Sequence, residues 1–229
     1  MRRALPLLLL LPLLLPIACG GEPAAEPSPT PAPPPAAAAN GNDLPGNDLP
    51  RVVFLGDSLT AGYGLSEEQA FPALLEQAFA DGDTPFEASN AGISGDTSAG
   101  GLSRVDWVLT GEPDVVVVAL GANDGLRGID PEATEENLRR IVERSRAAGA
   151  RVLLAGMRLP PNYGADYVAR FEAIYPRLAN ELDVPLVPFL LEGVGGDPEL
   201  NQADGIHPTA EGQKILAETV GGYLGPLLE

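Results

Sequence analysis

Three side chains in this sequence are of the types that perform nucleophilic catalysis together. Ser58 follows a Gly-Asp pair at the end of the apolar run 52–55. A serine hydroxyl is a poor nucleophile until a base removes its proton, and His207 is the single histidine of the chain. Asp204 lies three residues before that histidine and could orient the imidazole. Nucleophile, base and orienter are the three roles of a serine hydrolase, so the pattern predicts acyl transfer through Ser58.

The elements around these residues would bring them to one edge of a sheet. The run 52–55 predicts a buried strand that delivers Ser58 to a turn at its carboxyl end. The run 115–120 is continuously apolar and rich in valine, which is typical of a parallel strand buried on both faces. It ends just before the polar pair Asn123 and Asp124. Because open α/β sheets place their sites at the carboxyl ends of strands, we expect these polar residues to converge.

Strand patterns alternate with helical patterns through the rest of the chain. The predicted strands cover 52–55, 86–90, 115–120, 152–155 and 184–189, and the predicted helices cover 66–79, 102–109, 130–149, 166–182 and 209–224. This alternation predicts an α/β fold, a doubly wound parallel five-stranded sheet in a three-layer α/β/α sandwich with right-handed crossovers. Pro185 and Pro188 predict that the fifth strand is an edge strand. Pro176 predicts a kink or a new start within the fourth helix.

Four short blocks resemble, in order and spacing, the motif blocks of the SGNH (GDSL) hydrolases. They are Gly-Asp-Ser-Leu at 56–59, Asn-Ala-Gly-Ile-Ser-Gly-Asp-Thr-Ser at 90–98, Leu-Gly-Ala-Asn-Asp-Gly at 120–125 and Asp-Gly-Ile-His-Pro at 204–208. The segments Leu-Arg-Gly at 126–128 and Arg-Leu-Pro-Pro-Asn-Tyr-Gly at 158–164 narrow the resemblance to the bacterial periplasmic thioesterase I, lysophospholipase and arylesterase branch. The resemblance covers residues 51 to 228 and implies the flavodoxin-like SGNH hydrolase fold.

The resemblance also implies which groups stabilise the oxyanion of the reaction. The donors would be the backbone N–H groups of Ser58 and Gly95 and the side-chain amide of Asn123. Such preorganised donors act on the charge that develops in the transition state. From its position, Gly92 is interpreted as a turn residue, and Asp57 is expected to brace the turn rather than react. A histidine base predicts that activity is lost at acidic pH.

Two loops that follow predicted strands could form an acyl groove. Leu126, Leu159 and Tyr163 would be its apolar walls, and the alternative is that both loops are ordinary surface loops. The resemblance implies hydrolysis of aryl esters, lysophospholipids and acyl thioesters, and therefore a small-molecule acyl ester as substrate. Two alternatives remain open, a carbohydrate O-acetyl esterase and a non-catalytic lipoprotein that binds lipids or glycans on the same fold.

The start of the chain has the pattern of an export signal. Residues 1–18 combine two arginines with a leucine-rich run that prolines interrupt, which predicts a secretory signal peptide. Cys19 follows Ile-Ala at the place of the cysteine in a bacterial lipobox, although Pro16 occupies the position where leucine is usual. We expect Cys19 to be lipidated. The protein would then cross the inner membrane and remain a membrane-anchored lipoprotein facing the periplasm or the cell exterior.

The segment between this cysteine and the first strand lacks the side chains needed for a core. Residues 20–50 are dominated by proline, alanine and small polar residues, which predicts an extended and flexible tether. The predicted organisation is therefore a signal peptide at 1–18, a lipidated cysteine and tether at 19–50, and an SGNH hydrolase domain at 51–229.

Charge and composition exclude several classes of protein. The chain of 229 residues has a formal net charge of −18, which argues against binding nucleic acid, whose phosphates need a basic surface. It also argues against electrostatic adhesion to anionic lipid. One cysteine and one histidine exclude an internal disulfide and argue against a zinc site. We expect a monomer that needs no metal or organic cofactor and contacts the membrane through its lipid anchor.

Overall fold

The computed structural model of the protein describes residues 49–229. The predicted signal peptide, Cys19 and the tether up to residue 48 lie outside the described residues. The strands are β1 (Arg51–Gly56), β2 (Glu87–Gly92), β3 (Val115–Ala119), β4 (Arg151–Ala155) and β5 (Leu186–Val187). The helices are α1 (Ser58–Ala61), α2 (Phe71–Phe79), α3 (Ser98–Leu109), α4 (Ala122–Leu126), α5 (Pro131–Ala147), α6 (Ala165–Glu172), α7 (Ile174–Leu182) and α8 (Ala210–Leu224). Three short 3₁₀ helices cover Glu67–Gln69, Pro161–Tyr163 and Gly225–Leu227.

The five strands form one parallel sheet in the order β2-β1-β3-β4-β5. At the carboxyl end of β1, Gly56 lies opposite Gly92 of β2 and Ala119 of β3. The strand order reverses between β1 and β3, and such a reversal opens a crevice at the carboxyl ends of the strands. The predicted α/β fold is confirmed, and the segments after β1, β2 and β3 meet at this crevice.

The helices pack in two groups that account for the burial of the sheet. Helix α2 packs on α8, while α3 packs on α5 and α5 packs on α7. All residues of β3 are buried, because the strand lies in the middle of the sheet and is covered by helices. The arrangement is the predicted three-layer sandwich. Among residues 49–229, no helix combines the length and the apolar character needed to cross a bilayer.

Several element boundaries differ from the predictions, and prolines explain most of the differences. Ser66 caps the short 3₁₀ helix Glu67–Gln69 rather than α2. Helix α2 starts at Phe71 with Pro72 in its first turn, because a proline further inside a helix would clash with the preceding turn. Helix α7 starts anew after α6, which places Pro176 in its first turn as predicted. Strand β5 is an edge strand as predicted, but the flanking Pro185 and Pro188 limit it to two residues.

Helix α3 begins four residues before the predicted start at 102. Thr97 caps it by accepting a hydrogen bond from the N–H of Gly100. The pair Gly100 and Gly101 gave no helical signal, because glycine is a poor helix former. A side chain at Gly101 would lie 2.2 Å from Cδ1 of Leu120, so this glycine allows α3 to pack closely against the sheet.

Candidate active site

Ser58 is held at the junction of β1 and α1. Asp57 caps this short helix, because its Oδ1 accepts a hydrogen bond of 3.0 Å from the N–H of Leu59. Gly62 ends the helix in the left-handed region, with φ of 69°, a conformation that favours glycine. Ser58 is the first residue of α1. Its hydroxyl and its N–H therefore lie at the carboxyl edge of the sheet.

His207 lies within hydrogen-bond distance of Ser58 on one side and Asp204 on the other. Its Nε2 is 3.0 Å from Oγ of Ser58, and its Nδ1 is 2.7 Å from Oδ2 of Asp204. The other carboxylate oxygen, Oδ1, accepts the backbone N–H groups of Ile206 and His207, each at 3.0 Å. The structure thus brings together the three side chains that the sequence singled out.

The carboxylate of Asp204 determines which nitrogen of the imidazole faces the serine. The hydrogen bond to His207, followed by those from the two backbone N–H groups, lowers the pKa of Asp204 to about 2. Asp204 is therefore ionised across the neutral range and favours a proton on Nδ1. The remaining nitrogen, Nε2, is then free to accept the proton of Ser58.

An aromatic ring that the sequence analysis did not single out covers the imidazole. The ring of Tyr63 lies 4.4 Å from the ring of His207, centroid to centroid, with an interplanar angle of 34°. Tyr63 is half exposed and lines the same cavity as Ser58. It limits the positions that the imidazole can take.

Gly95 and Asn123 face the cavity that contains Ser58. Gly95 has a φ of 82°, a left-handed conformation that other residues rarely adopt. The Asn123 Nδ2 donates a hydrogen bond of 3.3 Å to Oδ2 of Asp57. Arg127 donates to the carbonyl oxygen of Gly95 at 2.8 Å and contacts Oδ1 of Asn123 at 3.5 Å. Two of the three expected oxyanion donors, Gly95 and Asn123, therefore border the same cavity as Ser58 and share a guanidinium neighbour.

Asp124 fixes the helix that carries Asn123. Its buried carboxylate accepts hydrogen bonds from the N–H and the hydroxyl of Ser98, at 2.8 and 2.5 Å, and one of 3.3 Å from the hydroxyl of Thr134. Ser98 begins α3 and Thr134 lies in α5. A buried polar network in which every group has a hydrogen-bond partner holds the segments that it connects in one arrangement. This network therefore holds α4, and with it Asn123, relative to two neighbouring helices.

Asp57 is completely buried and directly precedes Ser58 in the chain. Burial raises its pKa to about 7, against the opposing effect of the hydrogen bonds from the N–H of Leu59 and the side chain of Asn123. Its contacts to Leu59 and Asn123 join the serine turn to α4. The structure therefore gives Asp57 the bracing position that was expected of it.

Gly92 has a different structural role from the one predicted. It ends β2 without a left-handed backbone, so a turn does not require it. A Cβ at this position would lie 2.3 Å from the backbone N of Ala61 and 2.9 Å from the carbonyl oxygen of Asp57. The glycine is needed because α1 packs directly on the end of β2. Within the same block, Gly95 is the residue with the turn conformation.

A cavity of about 750 Å³ extends from Ser58 and is bordered mainly by apolar side chains. Leu126 and Leu159 line it as predicted, together with the unpredicted Met157, Phe189 and Leu191. Tyr163 is not among its lining residues. Its hydroxyl donates a hydrogen bond of 3.2 Å to the carbonyl oxygen of Leu126, so Tyr163 contacts a residue of the cavity wall, and its own role as a wall stays a prediction.

The chain is similar in sequence and fold to proteins that are named as esterases and thioesterases. Residues 54–215 match the GDSL-like lipase/acylhydrolase family model. The chain is 47% identical over 178 residues to esterase TesA of Pseudomonas aeruginosa, covering 77% of this chain and 89% of that protein. It is also 47% identical over 178 residues to thioesterase 1/protease 1/lysophospholipase L1 of Escherichia coli K12, covering 77% and 84% of the two chains. A crystal structure of TesA superposes with a TM-score of 0.75 at 47% identity and covers 77% of this chain and 99% of that one.

Proposed function

We propose that this chain, which belongs to the GDSL-like lipase/acylhydrolase family and is an ester hydrolase, cleaves its substrates through an acyl-enzyme on Ser58. The observation that carries the proposal is the continuous contact from Asp204 through His207 to Ser58, with distances of 2.7 and 3.0 Å. A serine with a positioned base, and a base with a positioned carboxylate, is the arrangement that nucleophilic catalysis requires.

In the proposed reaction, His207 and Ser58 act together in two half-reactions. Nε2 of His207 takes the hydroxyl proton while Oγ of Ser58 attacks the acyl carbonyl, and Asp204 stabilises the imidazolium that results. The tetrahedral oxyanion accepts hydrogen bonds from the N–H groups of Ser58 and Gly95 and from Nδ2 of Asn123. Collapse breaks the bond to the leaving alcohol or thiol, which receives the proton from His207. Water then repeats the attack with the same base and releases the acid.

The shape of the site supports an acyl chain as the group that enters the enzyme. The cavity of about 750 Å³ begins at Ser58 and continues between Leu126, Leu159 and Phe189. Apolar walls favour burial of an alkyl or aryl group, while the few polar groups fix the ester carbonyl. We propose aryl esters, lysophospholipids and acyl thioesters as the substrate classes, and the last two are in keeping with the name of the related Escherichia coli enzyme.

Labelling with a fluorophosphonate probe tests the nucleophile directly. The full chain should be labelled and inactivated, whereas Ser58→Ala should be neither labelled nor active. Ser103→Ala, at an exposed serine of α3, serves as the matched control and should behave as the wild type. Labelling that persists in Ser58→Ala would contradict the proposal, and an unlabelled wild type would support the non-catalytic lipoprotein.

Chain-length profiling tests the substrate class. With p-nitrophenyl esters of increasing acyl length, kcat/KM should rise beyond acetate, because each added CH₂ buries further apolar surface in the cavity at about 0.8 kcal/mol. A strict preference for acetate would instead favour the carbohydrate O-acetyl esterase.

We further propose the domain organisation and the location of the enzyme from its first fifty residues. Residues 1–18 would direct export across the inner membrane, Cys19 would carry lipid, and residues 19–50 would tether the hydrolase domain 51–229 to a membrane facing the periplasm or the cell exterior. A palmitate analogue should label the full chain and should not label Cys19→Ser. Equal labelling of the two proteins would contradict the lipid anchor.

We propose that the enzyme acts as a monomer. The residues of the proposed site, Ser58, Gly95, Asn123, Asp204 and His207, all come from one chain and border one cavity or contact each other directly. Light scattering on the active protein should give the mass of one chain, and activity that appears only at the mass of a dimer would contradict this.

A further inference from the structure

Arg127 contacts both of the residues that would complete the oxyanion hole beside Ser58. It follows α4, and its Nη2 lies 2.8 Å from the carbonyl oxygen of Gly95 and 3.5 Å from Oδ1 of Asn123. Arg127 is exposed and does not line the substrate cavity. A contribution of this side chain to the reaction would therefore be exerted through Gly95 and Asn123.

The first effect of Arg127 is on the orientation of the Asn123 amide. Its oxygen, Oδ1, faces the guanidinium of Arg127, and its nitrogen, Nδ2, donates to the carboxyl oxygen Oδ2 of Asp57 at 3.3 Å. If the amide were rotated by half a turn, its N–H groups would face the guanidinium of Arg127 and its oxygen would face the carboxyl oxygen of Asp57. Both contacts would be unfavourable. Because an amide nitrogen carries two hydrogens, the hydrogen that does not bond to Asp57 remains available to an oxyanion.

The second effect is on the backbone of Gly95. A left-handed glycine has many accessible conformations, and fixing one of them costs more entropy than for other residues. The charge-assisted hydrogen bond from Arg127 to the carbonyl oxygen of Gly95 selects one conformation,. The N–H of Gly95 is thereby preorganised before the substrate arrives.

The charge of Arg127 is also less neutralised than that of Arg158, another arginine beside the site. Arg158 lines the cavity and forms an ion pair with Glu192 at 3.6 Å. Within residues 49–229, the contacts of the Arg127 guanidinium are to the uncharged oxygens of Gly95 and Asn123 rather than to a carboxylate. A positive charge behind the donors favours the negative charge that develops in front of them.

We infer that Arg127 is a positioning residue of the oxyanion hole, which holds Gly95 and Asn123 in their donor orientations and adds a positive charge behind them. This inference rests on the proposed function, because it needs an oxyanion beside Ser58. It assigns no contact between Arg127 and the substrate. Arg127 should therefore affect kcat and leave KM unchanged.

Arg127→Met and Arg127→Lys in the full chain test the inference. Arg127→Met should lower kcat by about tenfold to a hundredfold, less than the loss of a whole donor, with KM within about twofold of the wild type. Arg127→Lys keeps the positive charge and one donor nitrogen, so its kcat should lie between those of Arg127→Met and the wild type. Arg140→Met, at an exposed arginine of α5, changes the net charge equally and should leave kcat unchanged. A wild-type kcat in Arg127→Met, or an equal fall in Arg140→Met, would overturn the inference.

A double-mutant cycle with Asn123→Ala separates this inference from the proposed function. If Arg127 acts through Asn123, the loss caused by Arg127→Met should be smaller in the Asn123→Ala background than in the wild type. The rate of inactivation by the fluorophosphonate, which mimics the tetrahedral state, should fall in parallel with kcat. Equal losses in both backgrounds would overturn the inference about Arg127 and would leave the proposed oxyanion hole unaffected. An Asn123→Ala enzyme with full turnover would instead overturn the proposed oxyanion hole.

Discussion

The side-chain amide of Gln202 donates a hydrogen bond of 2.7 Å to the backbone carbonyl oxygen of Tyr63, 139 residues earlier in the chain. The same amide nitrogen donates to the carbonyl oxygen of Pro208 at 3.0 Å, and the backbone N–H of Gln202 donates to the carbonyl oxygen of His207 at 2.7 Å. One side chain therefore ties the loop that carries the base to the segment that follows the nucleophile.

Gln213 makes a second connection between the same two regions. It lies in α8, is buried, donates to the carbonyl oxygen of Leu59 at 3.0 Å and accepts the N–H of Phe71 at 2.9 Å. The two glutamines lie on either side of His207 in the sequence, and both bond to the backbone of the segment that follows Ser58. Reacting groups that are held in place before the substrate binds lose less entropy in the reaction.

The two glutamines should differ in what their removal changes. Gln213→Ala leaves a buried carbonyl oxygen and a buried N–H without partners, which should lower the free energy of unfolding by about 2–4 kcal/mol. Gln202→Ala should cost less stability, because its site is only partly buried, but should lower kcat by about tenfold through a mobile His207 loop. Denaturant unfolding and steady-state kinetics measure the two effects. Gln77→Ala, at an exposed glutamine of α2, is the control, and wild-type kcat in Gln202→Ala would contradict the assigned role.

Asp57 should make the stability of the protein depend on pH in an identifiable direction. Its pKa is raised from 3.8 to about 7 by burial in the folded state, so between these pH values the folded state binds more protons than the unfolded state. Stability therefore falls as pH rises from 4 to 7. Relative to Asp57→Asn, the wild type should lose up to about 4 kcal/mol over this range, since each pKa unit corresponds to about 1.4 kcal/mol. Unfolding free energies of both proteins measured from pH 4 to 8 check this, and a constant difference would contradict it.

Asp204→Asn should separate charge from size at the orienting position. Because the pKa of Asp204 is lowered to about 2, the wild-type carboxylate is ionised wherever the enzyme is assayed. The amide can stabilise no imidazolium and favours the wrong tautomer, so kcat should fall by about three to four orders of magnitude. Thermal unfolding at neutral pH should change little, because the side chain is substantially exposed. A kcat within tenfold of the wild type would argue against the proposed triad.

Gly92 and Gly222 form a matched pair for testing the packing of α1 on β2. In Gly92→Ala the new methyl group would lie 2.3 Å from a backbone nitrogen of α1, so α1 must move and Ser58 with it. Stability should fall by about 1–3 kcal/mol, and activity should fall with it. At Gly222 in α8 a Cβ would meet nothing within 4 Å, and alanine should stabilise the helix by about 1 kcal/mol. Unfolding and kinetics of the two variants measure the contrast, and wild-type activity in Gly92→Ala would contradict it.

The sequence carried a strong signal for the fold because the strand patterns were unambiguous. The run 115–120 is apolar throughout, and it forms the buried central strand β3. The ends of elements were less predictable where prolines or glycines interrupted a pattern, as at Pro72 in α2 and at Gly100 in α3. In these places the first residue of the helix lies before the proline or glycine rather than after it. The periodicity of apolar residues does not indicate on which side the helix begins.

The residues proposed to react were easier to predict than the residues that hold them in place. His207 stands out because it is the single histidine, and Ser58 because it follows an apolar strand pattern and a Gly-Asp pair. Arg127, Gln202 and Gln213 each donate a hydrogen bond to a backbone carbonyl oxygen that is distant in the chain. Such contacts leave no spacing pattern, since a backbone carbonyl is present at every residue. The contacts can be recognised only from the folded structure, in which these distant segments lie side by side.

The order of the parts along the chain determines when the proposed triad can form. Ser58 precedes His207 by 149 residues, so the serine leaves the ribosome long before the imidazole that would activate it. In the proposed mechanism, a growing polypeptide therefore contains an unactivated hydroxyl until position 207 has been synthesised and the last segment has folded against the first strand.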